Sequence, residues 1–504
     1  MKIGVNLFES AVLDGDPGCA ALLACRPDLV VCHMSPGETA GAEGTQKAAR
    51  LRDLFLSEDV DLIADFEFQN VAGSAVDADG IDWCRAPDGG HRLHPNPAFL
   101  KTLADGGRLI GAIYDEFDYA VSTGNLSLWL GSKRTFGAPA FPEPETGDVY
   151  AHGEAVAQAI AQDVRRVKAA GVPVFAGEHV FPVFYHLFAR CGMVPNYKAQ
   201  KESCSNLQYA VAAGAALQYH LPLWSCIDMW YRQKFPGHSA DELYRNLLFA
   251  WHAGVSLAYV ESAPALTDGG ALNANGKALQ RFISGYKGRS PGYTAADYRP
   301  EIGIIRYDDG WWGQNAFWAH GLFGSRRLPH DRRSTEWIRA VHLVTRGESG
   351  RFSFNLNRID HTLAKRHRAF STMNALAVFD DRVRAQTLSS LKLVFLCGRY
   401  ISRETMADVG RLVRENGLVC VCPRRFAPER FSLLADTAYT EIADGKGSWI
   451  VTDELLSGRL RRRLSPYFGR KNEIRLPFGD REVRFSLSDN GDLELIEQIG
   501  QDEK

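Results

Sequence analysis

Three carboxylates fall within four positions in the segment AIYDEFDY, residues 112–119, directly behind the apolar run RLIGAI. Acids this dense at the tip of a buried strand suit proton transfer, in which one protonated carboxyl donates while an ionised neighbour accepts or attacks. Other apolar runs end the same way. Asp65 with Glu67, Glu178 with His179, Asp228 with Trp230, and Glu261 each close one. Glu116, Glu178 and Glu261 are the candidate proton-transfer or nucleophilic groups. Asp115 neighbours Glu116 in the chain and points to the other side of an extended strand; it suits substrate hydroxyls better than proton transfer. Tyr114, His179, Asp228, Trp230, Tyr231 and Glu67 complete the candidate substrate-binding set, since flat aromatic faces and polar tips line small-molecule clefts.

Metal chemistry finds weaker support. His33, His179 and His220 stand singly, with no HxH or HExxH spacing. No GxGxxG follows the first strand and no phosphate-cradling loop pattern occurs. Cys397, in LVFLCGRY, lacks the small-residue turn that exposes a nucleophile. No dissociable cofactor is expected.

The elements that would position these residues alternate. Apolar runs at 2–8, 28–34, 60–68, 108–116, 172–180, 221–229 and 255–261 read as strands, and helical segments lie between them. The clearest helix is SADELYRNLLFAWHAG, where Ser239 and Glu242 form a capping box and Gly254 closes the end. Strands apolar throughout, alternating with helices, indicate a parallel sheet covered on both faces. With polar residues at nearly every C-terminal tip, the α/β class narrows to a (β/α)8 barrel, whose active site forms on that rim. Seven strands are counted; the eighth is unassigned, irregular or in the 290s.

After about residue 290 a Gly/Pro-rich break precedes new strands and helices to about 455. From about 465 to 504, period-two alternation around GD and NGD turns predicts a small antiparallel β module.

The order of these parts, with "IIRYDDGWWGQNAFW" and "LKLVFLCGRYISRETMADVGRLVRENGLVCVCP" after the barrel, resembles the family 42 glycoside hydrolases. In those β-galactosidase-like proteins an amidotransferase-like trimerisation domain follows a catalytic barrel. The resemblance implies domains at 1–290, 300–455 and 465–504, a carbohydrate substrate and a homo-oligomer, dimer or trimer. It also implies hydrolysis of O-glycosidic bonds by two carboxylates, with retention, the acid/base ending strand four and the nucleophile ending strand seven. By the count above these are Glu116 and Glu261, with Glu178 competing for the second role. The family carries Asn-Glu where this chain has Asp115-Glu116. Trp311 and Trp312 would cap the cleft or meet another subunit. The alternatives are a non-catalytic carbohydrate-binding barrel and a metal-dependent barrel hydrolase.

Composition adds exclusions. With 45% hydrophobic residues, 23% charged and net charge −2, there is no electrostatic reason for a nucleic-acid or anionic-membrane partner. No run of about 18 apolar residues predicts a membrane span. The first residues lack a signal-peptide pattern, and the ten cysteines lie mostly inside apolar runs with no CxxC pair. A reducing, cytoplasmic setting is expected.

Overall fold

A computed structural model describes residues 1–34, 39, 41–66, 86–90, 92, 95–123, 140–200, 205–229, 238–312, 321–347, 369–431, 438–489 and 492–500. Eight parallel strands close a barrel in chain order: β1 (Lys2–Phe8), β2 (Leu29–Met34), β3 (Asp61–Phe66), β4 (Leu109–Tyr114), β5 (Phe175–His179), β6 (Val194–Ala199), β7 (Trp224–Asp228) and β8 (Leu257–Glu261). Seven of these are the expected runs. The missing strand is β6, VPNYKA, which lies between the fifth and sixth expected runs and not in the 290s. Glu261 therefore ends the eighth strand, and Asp228 ends the seventh.

The strand period of two divides each strand between the helices and the barrel interior. Outward residues such as Val5, Leu7, Tyr114 and Tyr197 join the core beneath the helices. The inward set is layered. Leu29, Val31, Ile63, Ile113, Ala176, Val194, Trp224 and Leu257 form a dry floor. Two residues further along the same strands the chemistry changes, and His33, Asp65, Asp115, Glu178, Asn196, Lys198, Asp228, Tyr259 and Glu261 follow, all buried. The apolar lower layers hold the barrel together. The polar upper layer has no such purpose.

The helices follow their sequence signals. Ser239 accepts from the Glu242 N–H and Glu242 returns a bond to the Ser239 N–H, starting Ala240–His252. Gly254 follows that helix with φ +73°, in the left-handed region glycine adopts without a side-chain penalty.

Beyond the barrel, strands Leu376–Asp380, Ile302–Arg306, Leu393–Cys397, Val419–Cys422, Gly447–Val451 and Thr440–Asp444 form a six-stranded sheet in that order, parallel except for the last pair. Glu473–Phe478, Arg481–Leu487 and Leu493–Gly500 form an antiparallel meander, with Met373–Asn374 added at its edge. The basic run RLRRR lies on the helix Gly458–Leu464, where Arg463 pairs with Glu441 at 2.6 Å on a solvated face.

The six-stranded sheet packs directly on the barrel helix Ser205–Tyr219. A Cβ on Gly214 would lie 1.7 Å from the Val378 carbonyl oxygen, so only glycine permits this approach. Among the described residues no helix is long and apolar enough to cross a membrane.

Candidate functional site

The polar layer converges on one atom. Lys198 Nζ, rising from β6, lies 2.6 Å from Glu116 Oε1, 2.8 Å from Glu261 Oε2 and 3.0 Å from Glu178 Oε1. Asp115 Oδ1 and Asp228 Oδ2 stand 3.7 Å away. Burying an ammonium costs several kcal/mol unless anions surround it, and here three carboxylates make close contact. Burial lowers the proton affinity of Lys198, but Glu116, Glu178, Glu261 and Asp228 more than reverse this, holding its pKa well above the ordinary lysine value. It is an ammonium throughout the working range.

The carboxylates differ in what else holds them. Glu178, on β5, accepts the Tyr259 hydroxyl at 2.6 Å, and Asn196 Nδ2 in turn donates to Tyr259 at 2.9 Å. Glu261, at the tip of β8, also accepts the Cys226 thiol at 3.2 Å. Asp228 accepts Gln200 Nε2 at 3.0 Å. Asp65 accepts Asn6 Nδ2 at 3.2 Å, and His33 Nε2 lies 3.7 Å from Asp115 Oδ2.

Glu116 lies just past the end of β4, with φ +44°. A side-chain-bearing residue held there stores strain of order 1–3 kcal/mol, which persists where surrounding structure enforces it and is concentrated at functional sites. Its side chain is 19% exposed, against 0% for Glu178 and 4% for Glu261, so solvent reaches the ring of acids through Glu116. Burial raises its pKa; Lys198 opposes the rise and Glu261 adds to it, leaving it at about 7. Glu178 is pushed well above the carboxylate range, by burial first and then by Glu261 and Asp65 against the pull of Lys198.

Glu116, Glu178, Glu261 and Asp228 are thus brought together as the sequence suggests, and Asp115, expected on the opposite side from Glu116, turns to the same ammonium because Glu116 lies past the end of β4 and out of extended backbone. Two expected residues are not brought in. Tyr114 faces away from the cleft, edge-on to Phe175 and Phe117 beneath the helices. His179 likewise points outward, where its Nδ1–H donates to Val183 O at 3.0 Å and its ring stacks on Tyr185. Burial keeps it neutral, with a pKa lowered to about 3. Both are corrections to the substrate-binding set, and both follow from the strand period: with Asp115 and Glu178 inside, their neighbours must face out. Glu67, Trp230 and Tyr231 lie outside the described residues.

Asp118 has a different task from its neighbours. Its carboxylate accepts the N–H groups of Val180 at 3.1 Å and Phe181 at 2.7 Å, fixing the loop after β5. Trp311 and Trp312 are buried within the chain, Trp311 stacked on His330 and Trp312 packed on Phe181 in that loop. Cys397 is buried and its thiol is pushed up by burial, the opposite of an activated nucleophile.

Two groups could approach a metal ion: Asp65, Asp115 and Glu178, and Glu178, Cys226 and Glu261, each with ligand atoms within 4.8 Å of one another. The second group's centre is contested by Lys198, which already supplies positive charge to both of its carboxylates. Its thiol is held protonated, pushed well above the ordinary value by burial and the neighbouring acids. That donor set does not suit a resident metal.

Fold and site together define a (β/α)8-barrel protein with a carboxylate-ringed ammonium at the C-terminal mouth. No protein-family model and no curated protein sequence matches the chain. Among solved structures, an apo exo-carrageenase of glycoside hydrolase family 42 from Bacteroides ovatus is similar over 91% of this chain and 73% of its own, at 8% identity and TM-score 0.47. The catalytic module of a family 98 glycoside hydrolase from Streptococcus pneumoniae is similar over 96% and 74%, at 10% identity and TM-score 0.40. A dihydropteroate synthase from Xanthomonas albilineans matches over 57% and 94%, at 9% identity and TM-score 0.25. Likeness this distant carries no residue's role across.

Proposed function

We propose that the protein is a glycoside hydrolase acting by two carboxylates with retention, Glu116 as acid/base and Glu261 as nucleophile. The observation that carries this reading is the shared ammonium. Bonds of 2.6 and 2.8 Å to one nitrogen put an upper limit of about 5.4 Å on the distance between Glu116 Oε1 and Glu261 Oε2, a close approach of the kind that direct attack on the anomeric carbon, with carboxyl groups about 5–5.5 Å apart, calls for. An inverting pair needs a wider gap, about 6.5–9.5 Å, to admit water.

The two acids are also differentiated. Glu116 is reached by solvent and holds its proton near neutral pH, as a donor to the leaving oxygen must. Glu261 takes two donors, the Lys198 ammonium at 2.8 Å and the Cys226 thiol at 3.2 Å, which fix its carboxylate at the tip of β8. Glu178 is wholly buried and committed to Tyr259, which suits holding a sugar hydroxyl better than attack. Asp228 is the rival nucleophile, since it ends β7.

A carbohydrate substrate, a homo-oligomeric state, a cytoplasmic setting and the division at 1–290, 300–455 and 465–504, with an amidotransferase-like second part, belong to the same reading. A panel of nitrophenyl glycosides, with the anomeric form of the first product followed by proton NMR, tests it. Release with retained configuration supports the assignment. Inversion would remove the retaining mechanism, and a fully inert panel would favour a carbohydrate-binding barrel without catalysis.

A further inference from the structure

Lys198 reaches Asp115, Glu116, Glu178, Asp228 and Glu261 at once and has so far been given no part in the reaction. The charged and titratable groups facing it come from each neighbouring element: Asp115 and Glu116 after β4, Glu178 on β5, Cys226 and Asp228 on β7, and Tyr259 and Glu261 on β8. Its own side chain is 1% exposed, so these groups and not water satisfy the ammonium.

We propose that Lys198 is a positioning residue of the catalytic pair: its ammonium bonds Glu116 and Glu261 at once and clamps the two carboxyl groups side by side. The inference rests on the glycosidase reading and extends it to a residue that reading does not require. Two carboxylates this close cannot both stay ionised without a cation between them, because like charges in a buried site disfavour each other.

The opposite use of a barrel lysine, attack on a carbonyl carbon as a free amine, requires the nitrogen to shed its proton. Desolvation or a neighbouring cation achieves this. Lys198 is ringed by anions, which act the other way.

The test compares wild type, Lys198→Met and Lys198→Arg by two readouts. Infrared difference spectra across a pH titration count protonated carboxyls, and kcat/KM is followed against pH on 2,4-dinitrophenyl glycosides. Lys198→Met should carry at least one more protonated carboxyl at pH 7 than wild type. Its acid limb of kcat/KM should move up by about one pH unit or more, and turnover should fall about 100-fold. Lys198→Arg, which keeps the charge, should restore the wild-type carboxyl count and recover at least about tenfold in turnover. An unchanged carboxyl count in Lys198→Met overturns the proposal, as does an unmoved acid limb. Should Lys198→Met fail to fold, Lys198→Gln, which removes the charge but leaves every carboxyl of the ring in place, decides by the same infrared count. A wild type inert on all glycosides would end the glycosidase reading, while the infrared count still decides whether Lys198 sets the ionisation of the ring.

Discussion

Asp228 and Glu261 are register partners at the tips of adjacent strands β7 and β8, and both reach toward Lys198, at 3.7 and 2.8 Å. Side by side, they compete for the same role, and the closer contact belongs to Glu261.

Replacing Glu261 by Gly should lower turnover by at least about 10³-fold for every leaving group. Azide should restore part of it through a glycosyl azide of inverted configuration, identified by NMR. Asp228→Asn should keep turnover within about tenfold of wild type, because its carboxylate is already engaged by Gln200. If the azide product appears with an Asp228→Gly variant instead, the nucleophile is the residue on β7.

Glu116→Gln should separate leaving groups. General acid assistance is worth about 10²–10⁴-fold, so unactivated glycosides should lose that much. The kcat/KM of dinitrophenyl glycosides, which reports only the first step and whose leaving group needs no proton, should stay within about tenfold. Equal losses on both would show that Glu116 is not the proton donor.

The pH dependence has a definite sign. With Glu116 as the proposed acid, kcat/KM should fall as pH rises through about 7, and Glu116→Gln should erase that limb. Stability follows the same direction. The folded-state value lies above the unfolded one, so the stabilisation is fully present below the ordinary carboxylate value of 4.5 and is lost as pH rises through about 7. Urea midpoints at successive pH values, compared between wild type and Glu116→Gln, measure the difference.

Gly214→Ala sets helix propensity against packing. Inside an exposed helix the change would gain about 1 kcal/mol. Here the added methyl meets the Val378 carbonyl, and a clash of that kind should cost about 1–3 kcal/mol net. A urea midpoint raised by the substitution would show that the second sheet does not press on this helix.

How legible this was from sequence depended on which face of a strand carried the information. Seven strands were readable because their cores are apolar on both faces. β6 was not, because two of its inward residues are Asn196 and Lys198 and it contains Pro195, a combination that looks like a loop. A signal was nevertheless present. A parallel strand was needed between the helices Tyr185–Arg190 and Ser205–Tyr219, since two successive crossover helices cannot share one strand. Missing β6 had two effects: it hid Lys198, and it moved Glu261 one strand too early. The acids at the strand tips were legible as a group. Tyr114 and His179 were misplaced because the period of two was not carried one residue back from Asp115 or one residue on from Glu178.

The helix Ser205–Tyr219 leaves the barrel no outer surface on that side. It is buried continuously from Ser205 to Ala216. On its far side Asn206 Nδ2 donates to Ser371 O at 2.7 Å, and Gln218 and Tyr219 both bind Asp380. The neighbouring His186 donates to Val378 O at 2.9 Å. Readable as a domain boundary near residue 290, the junction is in physical terms a shared wall, and β6 with Lys198 is built against its inner face. Such a barrel could not be transplanted onto another partner sheet, or inherited without its own, unless helix and sheet changed together. Drift in the second sheet would therefore be transmitted to the mouth of the barrel as surely as drift in the acids themselves.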